Sequence, residues 1–467
     1  MTDRADCLVL FGATGDLAYR KLFPALQALE DRGLLGMPVV GVAREGWTLE
    51  RLRERIRASL HEAGVPDGDA AGERLIASMR YVHGEYSDPG TFKDLAAVLH
   101  DVSQPVFYLA IPPDHFGDVV DSLSRHGLTA RCRVVVEKPL GRDLESAAAL
   151  NRMLASELAE DQIYRIDHFL GYEQVQNLLV ARFGNTMLEP LWNRRYVSQV
   201  HIEMTESFGV EGRGAFYETV GCLRDVVQNH LLQLVCILAM DPPVSMAADA
   251  IADEKLKVLR SITPLTRDAI VRGQYEGYRE EPGVAPGSDV DTYCALRLEI
   301  DSWRWAGVPF TIRAGKGMSG TLTEAVVEYA APPRQLFPDA GGTFEPNRMR
   351  FRMKPDDLIE LSMQVKQPGD RVVMDTVDLS VHYATRLGLP GPAAYERLLG
   401  DAITGERRLF ARGDLVEEQW RVIQPLLDDS PPVQPYWRGS MGPAAADRLL
   451  PGDLPAMLSS PHVPAVP

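Results

Sequence analysis

Short apolar runs alternate with stretches of helical periodicity over the first third of the chain. Each run has the length of a buried strand, and the runs are Cys7–Phe11, Met37–Ala43, Pro105–Ile111 and Arg131–Glu137. Between them, Leu17–Glu30 and Leu49–His61 place apolar residues at the spacing of an amphipathic helix. Strand alternating with helix predicts an α/β fold, with a doubly wound parallel sheet that is covered on both faces.

The pattern changes after residue 167. Two long helical patterns, Glu173–Arg182 and Leu223–Met240, precede strands in which polar and apolar residues alternate. These strands are Tyr293–Ile300, Val326–Ala330, Arg348–Met353 and Leu358–Val365. Consecutive alternating strands predict a mainly antiparallel sheet with helices against one face, which is an α+β fold. We therefore predict two domains, residues 1–167 and 168–467, and extended chain at the proline-rich segments Pro431–Pro435 and Pro451–Pro467.

The composition is that of a globular protein, because 45% of the 467 residues are hydrophobic and 24% are charged. The 49 Lys and Arg residues against 65 Asp and Glu residues give a net charge of −16. This balance argues against a nucleic-acid partner, since neutralising phosphates requires a basic face. The longest apolar segment, Leu231–Met240, covers about half a bilayer, so we expect no membrane partner.

The cysteines and histidines exclude several kinds of site. Five cysteines without a C-x-x-C pair favour a reducing cytoplasm over a disulfide framework. The ten histidines show no spacing typical of metal ligands, so we predict no metal site.

A glycine-rich turn follows the first predicted strand. It consists of Gly12, Ala13, Thr14, Gly15, Asp16 and Leu17. Glycine at a turn between strand and helix lets backbone amides approach a pyrophosphate, which then lies at the positive end of the helix. These six residues are therefore candidate cofactor-binding residues. The alternative is a tight turn that binds nothing.

The end of the second predicted strand bears on the choice between the two nicotinamide cofactors. An acidic residue there binds the ribose hydroxyls of NAD, whereas an arginine accommodates the 2′-phosphate of NADP. The strand is followed by Arg44, which favours NADP and makes Arg44 a candidate cofactor-binding residue. Glu45 comes next and would repel that phosphate if its side chain pointed inward, so NAD stays an alternative.

Several segments together resemble the glucose-6-phosphate dehydrogenase family, and the resemblance extends over nearly the whole chain. The most specific are the cofactor turn G-A-T-G-D-L, the segment E-K-P-L-G, the segment R-I-D-H-F-L-G-Y and the segment R-D-V-V-Q-N-H. They lie within Gly12–Leu26, Glu137–Gly141, Tyr164–Asn177 and Phe208–Leu232, and the likeness continues through Gly307–Lys316, Tyr395–Phe410 and Tyr436–Pro443. The resemblance implies a Rossmann-like dinucleotide-binding domain followed by a larger domain for substrate binding and oligomerisation.

The same resemblance implies an NAD(P)-dependent oxidation of a glucopyranose-type sugar at C1 to its 1,5-lactone. His230 matches the family's base, and Asp167 matches the carboxylate that orients it. Lys138 matches the lysine that reaches both sugar and cofactor, beside a proline that the family holds in the cis form, here Pro139. This division of roles agrees with elementary chemistry, because loss of hydride from C1 requires the O1 proton to leave, and histidine has a suitable pKa.

Further residues match the family's sugar pocket or stand where its phosphate-binding residues stand. They are Lys21, His168, Tyr172, Glu206, Asp225, Lys316, Thr321 and Lys354. The phosphate end departs from the family pattern. Phe169 replaces a tyrosine, Tyr172 a lysine, and Thr321 a second cation, whereas Lys354 adds a cation where a glutamine is usual.

Two missing cations weaken binding of a sugar phosphate by roughly 3–6 kcal/mol, if each charge-assisted bond contributes about 1.5–3 kcal/mol. We therefore hypothesise that the preferred hexose is unphosphorylated or modified at C6. Three alternatives stay open. They are an ordinary glucose-6-phosphate 1-dehydrogenase of the pentose phosphate pathway, a catalytically silent relative with an assembly or regulatory role, and an oxidoreductase of another two-domain class. The resemblance also implies a homodimer or homotetramer that assembles through the open sheet of the second domain.

Overall fold

The computed structural model describes residues 4–334, 336–337, 345–383, 386, 388 and 391–450. The strands in these ranges are β1 (Cys7–Phe11), β2 (Val39–Ala43), β3 (Met79–His83), β4 (Pro105–Leu109), β5 (Arg133–Val136), β6 (Ile163–Ile166), β7 (Val197–Thr205), β8 (Ile270–Tyr275), β9 (Tyr293–Glu299), β10 (Pro309–Gly315), β11 (Leu322–Tyr329), β12 (Arg348–Lys354), β13 (Leu358–Lys366), β14 (Met374–Val381), β15 (Phe410–Ala411) and β16 (Gln434–Tyr436). The α-helices are Phe23–Asp31, Leu49–Glu62, Ala70–Ser78, Pro89–Val98, Phe116–Arg125, Leu144–Glu157, Glu173–Gly184, Gly214–Cys222, Leu232–Ala239, Ala248–Ser261, Ala394–Thr404 and Gly413–Asp428. Two further segments, Ala18–Leu22 and Leu223–Leu231, are π-helical.

The chain forms two units, each built from three stretches of sequence. The first comprises Met1–Gln176, Asp241–Leu256 and Gly391–Trp420. The second comprises Asn177–Met240, Lys257–Pro390 and Arg421–Pro467. The domain boundary after residue 167 stays a prediction.

The first unit contains a seven-stranded sheet in the order β15-β6-β5-β4-β1-β2-β3. The pairs among β1 to β6 are parallel, and β15 adds an antiparallel edge. Strand β1 has β2 on one side and β4 on the other, so the strand order reverses at this point. A crevice at the carboxyl ends of the strands where the order reverses is the usual ligand site of such sheets. The predicted doubly wound α/β fold is confirmed.

Apolar packing explains why these runs form a buried sheet. The side chain of Phe11 stacks on Phe92 with ring centroids 6.1 Å apart, and it also packs against Phe107. Val119 and Leu123, from the helix Phe116–Arg125, belong to the same buried cluster. Since apolar runs of this kind are buried on both faces, they carry no polar alternation.

The second unit contains a nine-stranded sheet in the order β14-β13-β12-β11-β7-β10-β9-β8-β16. Its pairs are antiparallel except β7 with β10 and β8 with β16. This confirms the predicted α+β fold with a mainly antiparallel sheet. Within the ranges described, the structure has no helix long and apolar enough to cross a bilayer.

Two local expectations differ from the structure or lie outside it. The helix predicted over Leu223–Met240 is π-helical in its first half, where the backbone bonds to the fifth residue rather than the fourth. The segment Pro431–Pro435 leads into β16, which pairs with β8 and so joins the sheet. The segment Pro451–Pro467 lies outside the described residues.

Candidate active site

The glycine-rich turn lies where the strand order of the first sheet reverses. Gly12 follows β1 with φ of +80°, and a Cβ at this position would lie 2.2 Å from the carbonyl oxygen of Ala110, just beyond β4. The turn is closed by Gly15, whose N–H donates to the Gly12 carbonyl at 2.9 Å. A side chain at Gly12 would therefore collide with the backbone that follows β4, so the turn requires glycine here, and its bare backbone fits a dinucleotide pyrophosphate.

Arg44 and Glu45 follow β2 directly and are both exposed. The Arg44 guanidinium lies over the ring of Tyr86, 5.6 Å from its centroid. The Thr14 hydroxyl donates to Glu45 Oε2 at 2.6 Å, which joins the end of β2 to the glycine-rich turn. The structure thus brings Thr14 and the Arg44–Glu45 pair to one edge of the sheet.

The segment Glu137–Lys138–Pro139 follows β5, and the Lys138–Pro139 bond is cis, as predicted. Glu137 is buried, and its Oε1 accepts a hydrogen bond of 2.5 Å from the Tyr108 hydroxyl. Tyr395 also donates to this carboxylate. Burial raises the pKa of Glu137, and the donors oppose the rise. Glu137 thereby fixes the backbone next to Lys138.

Asp167 and His168 come directly after β6. Asp167 is buried and accepts a 3.1 Å hydrogen bond from the Phe169 N–H, which starts a short 3₁₀ turn. The imidazole of His168 is parallel to the ring of Tyr395, at 9° and 6.0 Å between centroids. The ring of Tyr172 meets the His168 ring edge-on, with centroids 6.2 Å apart. Burial raises the pKa of Tyr172. Lys21, which lies in the π-helical segment after the turn, is exposed.

In the second unit, His230 is buried within the π-helical segment Leu223–Leu231. Asp225 precedes it by five residues, which is one π-helical hydrogen-bond span, so both side chains emerge from the same side of the helix. Asp291 holds the start of this segment, since its Oδ2 accepts from the Leu223 N–H at 2.9 Å.

The structure brings three predicted substrate-binding residues together beside this helix. The Lys316 ammonium pairs with Glu206 and lies 3.9 Å from Asp225 Oδ2. Two aromatic rings flank the same ammonium, Phe208 at 5.6 Å and Tyr217 at 5.4 Å from the ring centroids. Two carboxylates and a cation at this spacing can accept from and donate to the hydroxyls of a sugar.

Thr321 and Lys354 lie at neighbouring strands of the same sheet. The Thr321 hydroxyl accepts from the Ser207 N–H at 3.1 Å and lies 3.1 Å from the Ser207 hydroxyl. Lys354 ends β12, is exposed, and pairs across the sheet with Thr323, two residues beyond Thr321. The neighbours Ser207, Phe208 and Tyr217 were not predicted as site residues, although two of them lie within a segment that carried the resemblance.

The first unit has a glycine-rich turn at the point where the strand order of its parallel sheet reverses. The second unit has two carboxylates paired with a lysine. Together these features define a nicotinamide-dependent oxidoreductase of a two-domain kind. Residues 9–177 match the family model for the NAD binding domain of glucose-6-phosphate dehydrogenase, and residues 179–454 match the model for its C-terminal domain. The chain belongs to the glucose-6-phosphate dehydrogenase family.

Individual relatives resemble the chain over almost its full length. The glucose-6-phosphate 1-dehydrogenase 1 of Mycobacterium tuberculosis is 44% identical over 96% of this chain and 95% of its own length. The crystal structure of glucose-6-phosphate 1-dehydrogenase from Mycobacterium avium has a TM-score of 0.88 at 44% identity, over 95% of this chain and 97% of that one. A glucose-6-phosphate dehydrogenase solved in complex with its substrate glucose-6-phosphate has a TM-score of 0.90 at 34% identity, over 96% of this chain and 98% of that one.

These findings confirm the predicted family, the fold class and the class of enzyme. The chain is an oxidoreductase that acts on a CH–OH group with NADP as cofactor. They also favour the ordinary glucose-6-phosphate 1-dehydrogenase over the unphosphorylated-hexose hypothesis.

Proposed function

We propose that this chain oxidises C1 of glucose 6-phosphate to the 1,5-lactone. The observation that carries the proposal is the cluster of Lys316, Glu206 and Asp225, which lies beside the segment that holds His230. It offers acceptors and one donor to the hydroxyls of a pyranose. The likeness to an enzyme solved with this substrate supports the same choice.

In this proposal, His230 is the general base. Its imidazole takes the O1 proton while C1 loses its hydride, so that the C1–O1 bond becomes a carbonyl. When bound, NADP supplies the acceptor for that hydride. Asp167 is assigned the family's role of the carboxylate that holds the base in the required tautomer and stabilises its imidazolium.

Lys138 contributes a positive charge close to sugar and cofactor. Gly12, Ala13, Thr14, Gly15, Asp16 and Leu17 would hold the pyrophosphate, and Arg44 the 2′-phosphate. Lys21 is assigned to the sugar.

The 6-phosphate is assigned to His168, Tyr172, Thr321 and Lys354. Hydroxyl groups at Tyr172 and Thr321 replace cations, so fewer positive charges than usual neutralise the negative charge of the phosphate. This substitution is what favours the second candidate, an unphosphorylated or modified hexose. Since a phosphate bond to a charged donor contributes about twice as much as one to a neutral donor, we expect weaker substrate binding but the same substrate.

The experiment compares kcat/KM for glucose 6-phosphate and glucose with NADP. We expect glucose 6-phosphate to be preferred by at least about tenfold, the effect of one retained phosphate contact of about 1.4 kcal/mol. Equal values, or a preference for glucose, would instead support the second candidate. Thr321→Lys is the informative variant, because a restored cation should raise kcat/KM for the phosphate alone.

The role of His230 is tested by His230→Asn. We expect kcat to fall by about 10²–10⁴, the usual contribution of a general base, with the Kd of NADP unchanged. The matched control is His61→Asn, because the His61 side chain is 73% exposed. Turnover within tenfold of the wild type would contradict the assignment.

We also propose that the chain is a homodimer or homotetramer in the cytoplasm. The apolar face of the second sheet is buried at Met349 on β12. The same face continues through Leu361 on β13 to Leu379 on β14, and the exposed fraction of Leu379 is 57%. An exposed apolar row of this kind fits the same surface of a second copy.

A further inference from the structure

The ammonium of Lys316 is surrounded by two acids and two aromatic rings. It pairs with Glu206 and lies 3.9 Å from Asp225 Oδ2. The ring centroids of Phe208 and Tyr217 are 5.6 Å and 5.4 Å from the same nitrogen. An aromatic face within about 6 Å attracts a cation through its quadrupole, so both rings favour this position of the ammonium.

The two rings differ in how firmly they are held. The exposed fraction of Phe208 is 45%, whereas that of Tyr217 is only 3%. The Tyr217 ring packs edge-on against Tyr278 with centroids 6.2 Å apart, and the Tyr278 hydroxyl donates to Glu218 at 2.7 Å. Tyr217 is therefore the buried ring of the pair, and cation–π attraction is strongest where the ring and the cation are removed from water.

The backbone of Lys316 is held by a second tyrosine of the same buried cluster. The Tyr436 hydroxyl, on β16, donates to the Lys316 carbonyl at 2.6 Å. The Lys316 N–H donates to the Thr292 carbonyl at 2.9 Å, and the Thr292 hydroxyl lies 2.9 Å from that of Tyr436. Burial raises the pKa of Tyr436, so its phenol stays protonated and able to donate.

A lysine requires such restraints to act at a defined place. Its charge lies at the end of a flexible four-carbon stem, so an unrestrained ammonium samples many positions. A donor that is ordered before the ligand arrives binds more tightly, because less freedom is lost on binding. Lys316 is restrained in this way at both its backbone and its ammonium.

We propose that Tyr217 and Tyr436 are positioning residues that hold Lys316 for the sugar, Tyr217 at the ammonium and Tyr436 at the backbone. Neither tyrosine is assigned a contact with the sugar, so both act on the reaction through Lys316. The inference rests on the proposed function, in which Lys316 is a donor to the hydroxyls of the sugar.

Steady-state kinetics with glucose 6-phosphate and NADP test the inference. We expect Tyr217→Leu to lower kcat/KM for the sugar about tenfold, mainly through a higher KM, because the donor is no longer ordered. Tyr217→Phe keeps the ring and should stay within about twofold of wild type. Tyr436→Phe removes one hydroxyl and should lower kcat/KM about fivefold, the usual effect of one hydrogen bond.

The background variant Lys316→Met separates positioning from a general effect on packing. In this background, Tyr217→Leu and Tyr436→Phe should lower kcat/KM by less than about twofold, because the group that they position is gone. The matched control is Tyr278→Phe, which removes a hydroxyl from the same cluster that bonds Glu218 instead. It should keep the kcat/KM of the wild type.

The kinetic results overturn the proposal in three cases. The first is an equal loss in Tyr217→Leu and Tyr217→Phe, since the ring would then have no role. The second is a loss that persists at full size in the Lys316→Met background. The third is a loss in Tyr436→Phe no larger than that in Tyr278→Phe.

A measurement without sugar distinguishes a wrong inference from a wrong function. NMR relaxation of protein labelled with ¹³C-lysine gives the order parameter of Lys316 Cε, whose signal is identified by its loss in Lys316→Met. We expect this order parameter to fall in Tyr217→Leu and Tyr436→Phe and to be kept in Tyr217→Phe. An unchanged order parameter in Tyr217→Leu would overturn the inference. The expected fall supports it even if the wild type does not turn over glucose 6-phosphate, a result that would overturn the proposed function alone.

Discussion

At the scale of single residues, site groups are held by partners that come from distant parts of the chain. Glu137 is fixed by Tyr108 from β4 and by Tyr395, about 258 positions further on. Tyr395 also stacks on His168, so one phenol supports two motifs. The motifs themselves were identifiable from their residues, but Tyr395 was not assigned a role. Its sequence position carries no sign of the contact, because the contact is created by the fold.

His201 provides a residue-scale prediction about acid stability. It is buried with Glu203, its Nε2 lies 3.7 Å from the Glu203 carboxylate, and burial lowers its pKa from the usual 6.5. The unfolded chain therefore binds a proton below pH 6.5 that the folded chain does not, and stability falls as the pH drops through that range.

The slope in question is the change in the free energy of unfolding with pH. We expect His201→Asn to reduce this slope by up to about 1.4 kcal/mol per pH unit between pH 6.5 and 5. Urea unfolding at several pH values measures it. The slope is the quantity of interest, because the substitution also changes packing at every pH. His61→Asn should keep the wild-type slope. A wild-type slope in His201→Asn would show that this imidazole is not the linked group.

At the scale of elements, the four strands predicted for the first sheet are present as β1, β2, β4 and β5, with ends that differ by up to a few residues, whereas β3, β6 and β15 were not predicted. The run Met37–Ala43, for example, forms β2 only from Val39. Apolar runs are legible because burial on both faces demands them. The π-helical form of Leu223–Leu231 was not predicted, since its apolar spacing is compatible with an ordinary helix.

Asp291 bonds the start of the π-helical segment Leu223–Leu231 and gives an element-scale prediction. It accepts from the Leu223 N–H at 2.9 Å and pairs with Arg272 at 3.1 Å, while Gly221 turns the chain with φ of +64°. Asp291→Ala removes a cap and leaves the Arg272 charge without this buried partner. We expect a loss of about 2–4 kcal/mol in the free energy of unfolding, together with lower kcat, because the His230 segment shifts.

Asp291→Asn is the matched variant, since it keeps an acceptor for the Leu223 N–H. Chemical denaturation and kcat should show it closer to wild type than Asp291→Ala. Equal losses in the two variants would mean that the charge, and not the cap, holds the segment.

At the scale of the whole molecule, the second sheet exposes large apolar side chains at its β14 end. Met363 on β13 lies opposite Val377 on β14, and both are exposed, as are Leu379 and Val381. Large exposed apolar patches mark interaction surfaces, and a two-fold axis would let the row pack on its own copy.

We expect Val377→Lys to shift the protein toward monomer, because a charge placed in an apolar interface loses its hydration without gaining a partner. Size-exclusion chromatography with light scattering measures the change at micromolar concentration. Val244→Lys is the control, since Val244 is 95% exposed. An unchanged mass for Val377→Lys would exclude this row as the interface.

The sequence by itself determined both fold classes, the family, the glycine-rich turn after β1 and the cis bond before Pro139. These properties depend on local patterns of burial, on backbone freedom at glycine and on motifs whose residues are close in the chain. The spacing of apolar residues predicts the helices and strands because each element must bury one face wherever it is placed.

Only the tertiary structure decided that Glu45 is held on Thr14, that Tyr395 supports Glu137 and His168, and that Lys316 lies between Glu206 and Asp225. It also decided the π-helical form around His230. Such contacts join residues that are far apart in the chain. Their geometry depends on the register and packing of whole sheets, which a pattern of residue types does not specify.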